Sequence, residues 1–236
     1  MGERERLAQL APDFSSEEGF NAQLIDLRFR ALREHLPEGA RVLELGSADG
    51  RMTRLLREHA SSLTAVDGSD DYCRVVAERF PDVEVVCALF EDYAPDEPFE
   101  VVLMAHILEH VDRPVDLLAR VRQTMLAPGG RVILSVPNAN SLHRQAGVMM
   151  GLLERTTQLN EADLRIGHRR VYTREHLVAD VLAAGLRPVH VGGVFLKAVS
   201  NDQIDRHWPP ELVEAYYLLG FSYPELCAEL LVVAEG

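Results

Sequence analysis

One stretch limits the fold of this chain more than any other: Arg41-Val-Leu-Glu-Leu-Gly-Ser-Ala-Asp-Gly50, followed by Leu63-Thr-Ala-Val-Asp67. An apolar run from Val42 to Leu45 enters a glycine turn, and the turn enters a helix-like segment from Arg51 to His59. A second apolar run then ends on a carboxylate, Asp67. This is the pattern of a strand–loop–helix–strand unit with an acid at the tip of its second strand. It suits a ligand that contains a nucleoside: small loop residues let the backbone come close, and the acid can accept both ribose hydroxyls. A tight turn with no ligand is the plain alternative, but it leaves the placement of Asp67 without a reason.

The rest of the chain continues the alternation. Strands are read at Val83 to Leu89, Glu100 to Ala105, Arg131 to Val136, Leu186 to Leu196 and Leu226 to Ala234. Pro114 to Leu126 has helical spacing with proline suited to a first turn, and Ala127-Pro-Gly-Gly130 reads as a turn. Thr173 is placed to cap a helix that stops at Gly185. The unbroken apolar character of the first, fourth and fifth strands fits parallel strands covered on both faces. The expected fold is therefore α/β: a Rossmann-like, seven-stranded, mostly parallel sheet with helices on both faces, forming one domain over residues 1–236.

Three segments fall outside the alternation. Residues 1–36 carry a helical stripe of Leu24, Leu27, Ala31 and Leu32; residues 138–170 follow the fifth strand; residues 197–225 precede the last. Ligands of open α/β sheets lie beyond the carboxyl ends of the strands, so the first two segments are expected to meet there and 138–170 to act as a helical lid. Val148, Met149, Met150, Leu152 and Leu153 are read as part of a hinged helix over the cleft.

The glycine spacing narrows the ligand. Dinucleotide enzymes use G-x-G-x-x-G, whereas this loop has Gly46 and Gly50 with Glu44 just ahead. It resembles the acid-x-G-x-G-x-G loop of class I S-adenosylmethionine-dependent methyltransferases, with Ala48 where that family often has its middle glycine. Phe99-Glu-Val-Val-Leu-Met-Ala-His-Ile-Leu-Glu-His-Val111, Leu126-Ala-Pro-Gly-Gly-Arg-Val-Ile-Leu-Ser-Val-Pro-Asn138 and Tyr172-Thr-Arg-Glu-His-Leu resemble, in the correct order, motifs of the subgroup that includes ubiquinone-pathway O-methyltransferases. Pro137 to His143 and Gly167 to Tyr172 resemble methyltransferases of sugar or secondary-metabolite pathways.

The resemblance implies S-adenosylmethionine as cofactor and a role for each matching residue. Glu44 is expected to take amides of its own loop, and Gly46, Ser47 and Gly50 to present backbone to the methionine and ribose. Asp67 is expected to accept the ribose hydroxyls, with Gly68 and Ser69 approaching the adenine edge. Leu89 stands where the family's adenine-reading acid usually is, leaving backbone, Glu91 or Asp92 to read the exocyclic amine and Phe90 to offer an amide. Ala105 is expected to offer its carbonyl to the methionine ammonium, and Arg28 to meet the methionine carboxylate or else remain solvated.

Other chemistries fit less well. A net charge of −13, from 24 basic and 37 acidic residues, repels phosphate backbones and anionic membranes, so neither nucleic acid nor membrane is an expected partner. There is no apolar run of about 18 residues, and Met1-Gly-Glu-Arg-Glu-Arg leads into no signal-type core. Cys73, Cys87 and Cys227 lie far apart, which suits reduced thiols and a cytoplasmic protein. His106-x-x-Glu109-His110 spells an inverted zinc-protease motif, but Pro114 leaves no room for the long helix that motif needs. Asp112 and Asp116 lie past the fourth strand with no matching acid or amide pair, so without a clear ligand cluster no metal is expected. For proton removal the candidates are His168, His143 and His110, with Arg169, Arg170 and Tyr172 as acceptor-docking groups. The expected reaction is methyl transfer to a small polar acceptor, a hydroxyl favoured. N-methylation of an amino sugar or other small amine, and a non-catalytic cofactor-binding protein of the same fold, are the alternatives. The oligomeric state stays open, a homodimer included.

Overall fold

The computed structural model describes residues 18–236; the earlier part of the N-terminal segment lies outside the described residues. The first helix, α1 (Gly19–Leu32), buries the expected stripe of Leu24, Leu27, Ala31 and Leu32 together with Phe20, Ile25 and Phe29. The alternating core follows: β1 (Arg41–Leu45), α2 (Arg51–Arg57), β2 (Ser62–Asp67), α3 (Asp70–Arg79), β3 (Glu84–Cys87), β4 (Phe99–Ala105) and α4 (Pro114–Arg120). Beyond it come β5 (Leu126–Pro137), α5 (Leu142–Met149), α6 (Glu161–Arg165), α7 (Arg174–Ala183), β6 (Arg187–Val194), α8 (Asn201–His207), α9 (Pro210–Gly220) and β7 (Glu229–Glu235).

The seven strands form one sheet in the order β3-β2-β1-β4-β5-β7-β6. The pairs β1–β2, β1–β4, β2–β3 and β4–β5 are parallel, and β7 runs antiparallel to both neighbours. Side chains of a strand alternate between faces, and both faces are filled. Val42, Val101, Leu103, Ile133 and Val233 pack with α1 and α2, while Leu43, Leu45, Val102, Met104 and Leu134 pack on the other face with Leu117, Leu118 and Val181.

Two local departures from the sequence reading have identifiable causes. Helix α4 ends at Arg120 and passes through a π-helical turn, Val121–Met125, before β5. β5 itself begins early, because Leu126 pairs with Phe99 while Arg131 pairs with Val101. The Ala127 to Gly130 turn therefore bulges out of a strand that is paired at both ends. A Cβ at Gly130 would lie 2.9 Å from the carbonyls of Ala127 and Glu100, so only glycine passes there without a shift.

Candidate active site

The carboxyl ends of β1, β2 and β4 open onto a cavity of about 1020 Å³. At one end stands the β1–α2 turn. Gly46 (φ +84°) and Gly50 (φ +93°) take left-handed backbone, and a Cβ on Gly46 would come within 2.3 Å of Ile107 Cδ1. Ala48 is left-handed too, at φ 45°, a conformation that a glycine would hold with less strain.

In this loop the Ala48 amide goes to Asp67, while Gly46 and Gly50 donate to the Val66 and Ser47 carbonyls; Glu44 takes none of these, contrary to the sequence reading. Asp67 Oδ2 accepts from Ala48 N at 3.2 Å and Oδ1 from Ser69 N at 2.9 Å. Burial raises its pKa, and these backbone bonds counter the rise. Glu44 instead accepts from the Thr53 hydroxyl of α2 at 2.6 Å, and its second oxygen has no partner. Burial pushes Glu44 up to about 8, against the Thr53 bond. Glu44 points back from the strand into the α2 packing, so it meets a helix side chain before it can meet the loop.

The middle of the cavity holds an ion-paired hub. Arg28 donates from Nε to Glu229 Oε2 and from Nη2 to Glu229 Oε1, both at 2.7 Å, and the pair is buried. His106, left-handed at φ 58°, brings its Nε2 to 2.9 Å from Arg28 Nη2. Burial alone would raise Glu229, but Arg28 and His106 outweigh it and hold the carboxyl at about 2. Arg28 thus lines the cavity with its charge already matched.

The far end is covered by residues 138–170. His168 Nδ1 lies 3.3 Å from Asp163 Oδ1, and its ring packs edge-on to His110 with centroids 4.7 Å apart. Asp163 also accepts from Arg144 Nη1 at 3.1 Å and closes a capping box with Asn160 at the start of α6. Burial opposes the charge on Asp163, but His168, the Asn160 amide and Arg144 bring it to about 2. His143 is lowered as well, to about 3, by burial and then by the nearby Lys197 and Arg144 charges, which favours its neutral form.

A model of the family described as "Methyltransferase domain" matches residues 17–191. The chain belongs to that family. It is 31% identical over 120 residues to a ubiquinone biosynthesis O-methyltransferase of Xanthomonas campestris pv. campestris, a match covering 48% of this chain. The chain spans about half (49%) of that relative's length. Its fold is that of an S-adenosylmethionine-dependent methyltransferase from Mesorhizobium loti: TM-score 0.66, 22% identity, over 90% of this chain and 100% of the other. A second similar structure is the 1,6-didemethyltoxoflavin-N1-methyltransferase of Burkholderia thailandensis, solved with 1,6-didemethyltoxoflavin and S-adenosylhomocysteine. It superposes with TM-score 0.62 at 20% identity, covering 100% of this chain and 90% of that one.

Class I methyltransferases take S-adenosylmethionine, and the residues here fit it. Gly46 lines the cavity with backbone alone, at a φ that strains any other residue, and Ser47 Oγ is buried without a partner. A carboxylate offers about four lone-pair positions, and the Ala48 and Ser69 amides leave room on Asp67 for a ribose diol. Of the residues read from sequence, Arg28, Glu44, Gly46, Ser47, Asp67, Gly68, Ser69, Leu89, Phe90, Glu91 and Ala105 all line the cavity, as do His110, His143 and His168. Gly50 stands behind the loop, against Phe80 and Val76.

The structure does not bring Arg169, Arg170 and Tyr172 to the cavity. Arg170 donates to the carbonyls of Leu108, Val111 and Asp112, and Arg169 to the carbonyl of His110 while pairing with Asp112. Tyr172 is buried with its hydroxyl on Asp180 at 3.0 Å. Arg169 and Arg170 fasten the end of residues 138–170 to the loop after β4, and Tyr172 ties into α7. Of the apolar residues read as facing the cleft, Met149, Met150 and Leu152 turn outward, 87%, 72% and 70% exposed, while α5 brings His143 and Arg144 to the cavity.

Sequence reasoning missed Glu229 and Asp163, whose partners are distant in the chain. It also missed a grouping. Glu109, His110 and His168 each bring a ligand atom within 4.8 Å of the others, a set able to hold a metal ion. The expectation of no metal rested on finding no such cluster, and only the fold brings His168 back to Glu109 and His110. Both Glu109 oxygens are buried without a hydrogen bond, and burial pushes that carboxyl up to about 8. Among the described residues no helix is long and apolar enough to cross a membrane.

Proposed function

We propose that this methyltransferase moves the methyl of S-adenosylmethionine to a small polar acceptor, a hydroxyl of a sugar or secondary metabolite. One observation carries the reading: the cradle around Asp67 and the polar space beneath residues 138–170 are a single cavity, so two small molecules can meet inside it. When bound, the cofactor supplies a methyl on a sulfonium, which leaves the protein to orient the acceptor and remove its proton. The far end supplies an imidazole able to accept a proton in His168, beside the polar groups of His143 and Asn138. That favours oxygen, since a hydroxyl must lose a proton while a neutral amine need only be aligned. The relative named as an O-methyltransferase supports the same choice.

Nitrogen is the second reading, supported by the fold shared with an N1-methyltransferase. The experiment is to incubate the protein with methyl-tritiated cofactor and a metabolite extract, then identify the labelled product by mass spectrometry. Methyl on a hydroxyl is expected, methyl on nitrogen would replace it, and no label with intact cofactor binding would leave a non-catalytic binder. Activity that falls with a chelator and returns with a divalent cation would give the proton's removal to an ion on Glu109, His110 and His168.

A further inference from the structure

The 24 basic side chains of this chain include one lysine, Lys197; every other is arginine. That lysine lines the cavity, at the acceptor end. The turn that delivers it is held from both sides. Phe195, just before it, takes a left-handed φ of 59° and buries its ring 5.0 Å from that of Phe20. The Leu196 amide donates to the Tyr216 carbonyl at 3.2 Å, and the Phe195 carbonyl accepts from Ala228 N at 2.8 Å. A non-glycine residue with positive φ is a strained choice, tolerated where the surroundings fix the position of something that matters.

The charges facing Lys197 come from three elements: Glu229 of β7, His143 and Arg144 of α5, and Asp163 of α6. Both carboxylates are already engaged, Glu229 by Arg28 and Asp163 by Arg144. No acceptor among the described residues is hydrogen-bonded to the Lys197 amine.

An arginine would serve at least as well as a lysine to dock an anion, and this chain uses arginine everywhere else. What lysine can do and arginine cannot is release its proton near neutral pH. Resting on the methyl-transfer reading, we infer that Lys197 is the general base: its neutral amine takes the proton of the acceptor's hydroxyl. The O–H bond breaks, the oxygen's electron pair forms the new O–CH3 bond, and the S–CH3 bond breaks with its pair staying on sulfur. Lys197 is left as an ammonium and loses its proton to solvent before the next turnover. Burial first, and Arg144 second, bring its pKa down to about 8, against the pull of Glu229 and Asp163. His143, at about 3, is too weak a base to compete.

A single lysine makes the test clean. Protein grown with 13C,15N-lysine gives a single set of side-chain resonances, and its Cε and Nζ signals are titrated with S-adenosylhomocysteine bound. A midpoint near 8 supports the base, and a midpoint near the ordinary 10.5 overturns it. Lys197→Arg keeps the charge but cannot lose it. With tritiated cofactor and a probe mixture of catechol, glucosamine and 4-aminobenzoate, it is expected to lose about 100-fold or more in turnover while binding cofactor as the wild type does. Lys197→Gln should lose as much, which guards against a steric effect of arginine. Near-normal turnover in Lys197→Arg would make Lys197 a docking cation and overturn the proposal, and so would lost cofactor affinity, which would pair it with the methionine carboxylate. A wild type that binds cofactor but labels none of the probes fails the acceptor assignment instead, while the lysine titration still decides the base.

Discussion

At the cofactor end of the cavity, Gly46 to Gly50 and Asp67 to Ser69 come from two neighbouring strand ends, and main-chain amides do most of the holding. From the middle of the cavity to its acceptor end, Arg28, His106, Asp163, His168 and Glu229 arrive from separate parts of the chain, and side chains hold one another. The first kind of site is set by local turn geometry. The second exists only when distant elements are docked, and each of its buried charges depends on a partner. The two ends should therefore fail differently.

The largest difference is expected from replacing residues 142–165 with a short glycine–serine linker. That removes His143, Arg144 and Asp163 but leaves Asn138, Ala139 and Tyr172, whose backbone bonds tie the base of this segment to the sheet. Turnover should vanish while calorimetry finds cofactor affinity nearly unchanged. Cofactor binding lost from a folded variant would merge the two ends into one site.

Glu229→Ala should come next, costing about 3–5 kcal/mol of stability in denaturant unfolding, because it leaves the Arg28 guanidinium buried without its carboxylate. The sign with pH follows from the depressed pKa. Glu229 contributes in full above the ordinary carboxylate value of 4.5, and the contribution is lost as pH falls toward about 2. The gap between wild type and variant should thus be flat near neutrality and narrow in acid. A gap that persists in acid would trace the loss to packing.

Asp67→Ala is the smaller, local effect: about 1.5–3 kcal/mol of cofactor affinity, the range for a hydrogen bond to a charged group, with stability changed less than in Glu229→Ala. Equal calorimetric affinity in mutant and wild type would remove Asp67 from the ribose.

The different construction of the two ends also explains what could be read from sequence. The turn at Gly46 and Gly50, the acid at Asp67 and the helix capped by Thr173 were legible, because a left-handed turn, a strand tip and an N-cap each leave a mark within a few residues. The α1 stripe was legible for the same reason, since helical period alone selects Leu24, Leu27, Ala31 and Leu32. Glu44 was misread because its sequence neighbours suggested the loop, while its burial faces Thr53.

Local pattern thus determined the alternation of strands and helices, the covered sheet and the cofactor loop, all of which follow from residues close along the chain. Only the tertiary structure decided that Arg28 meets Glu229, that His168 returns to Glu109 and His110, that Arg169 and Arg170 brace a loop, and that Lys197 faces the cavity. A charged side chain's partner is chosen by position in space and by the cost of burying it unpaired. Neither quantity is fixed by the few residues on either side.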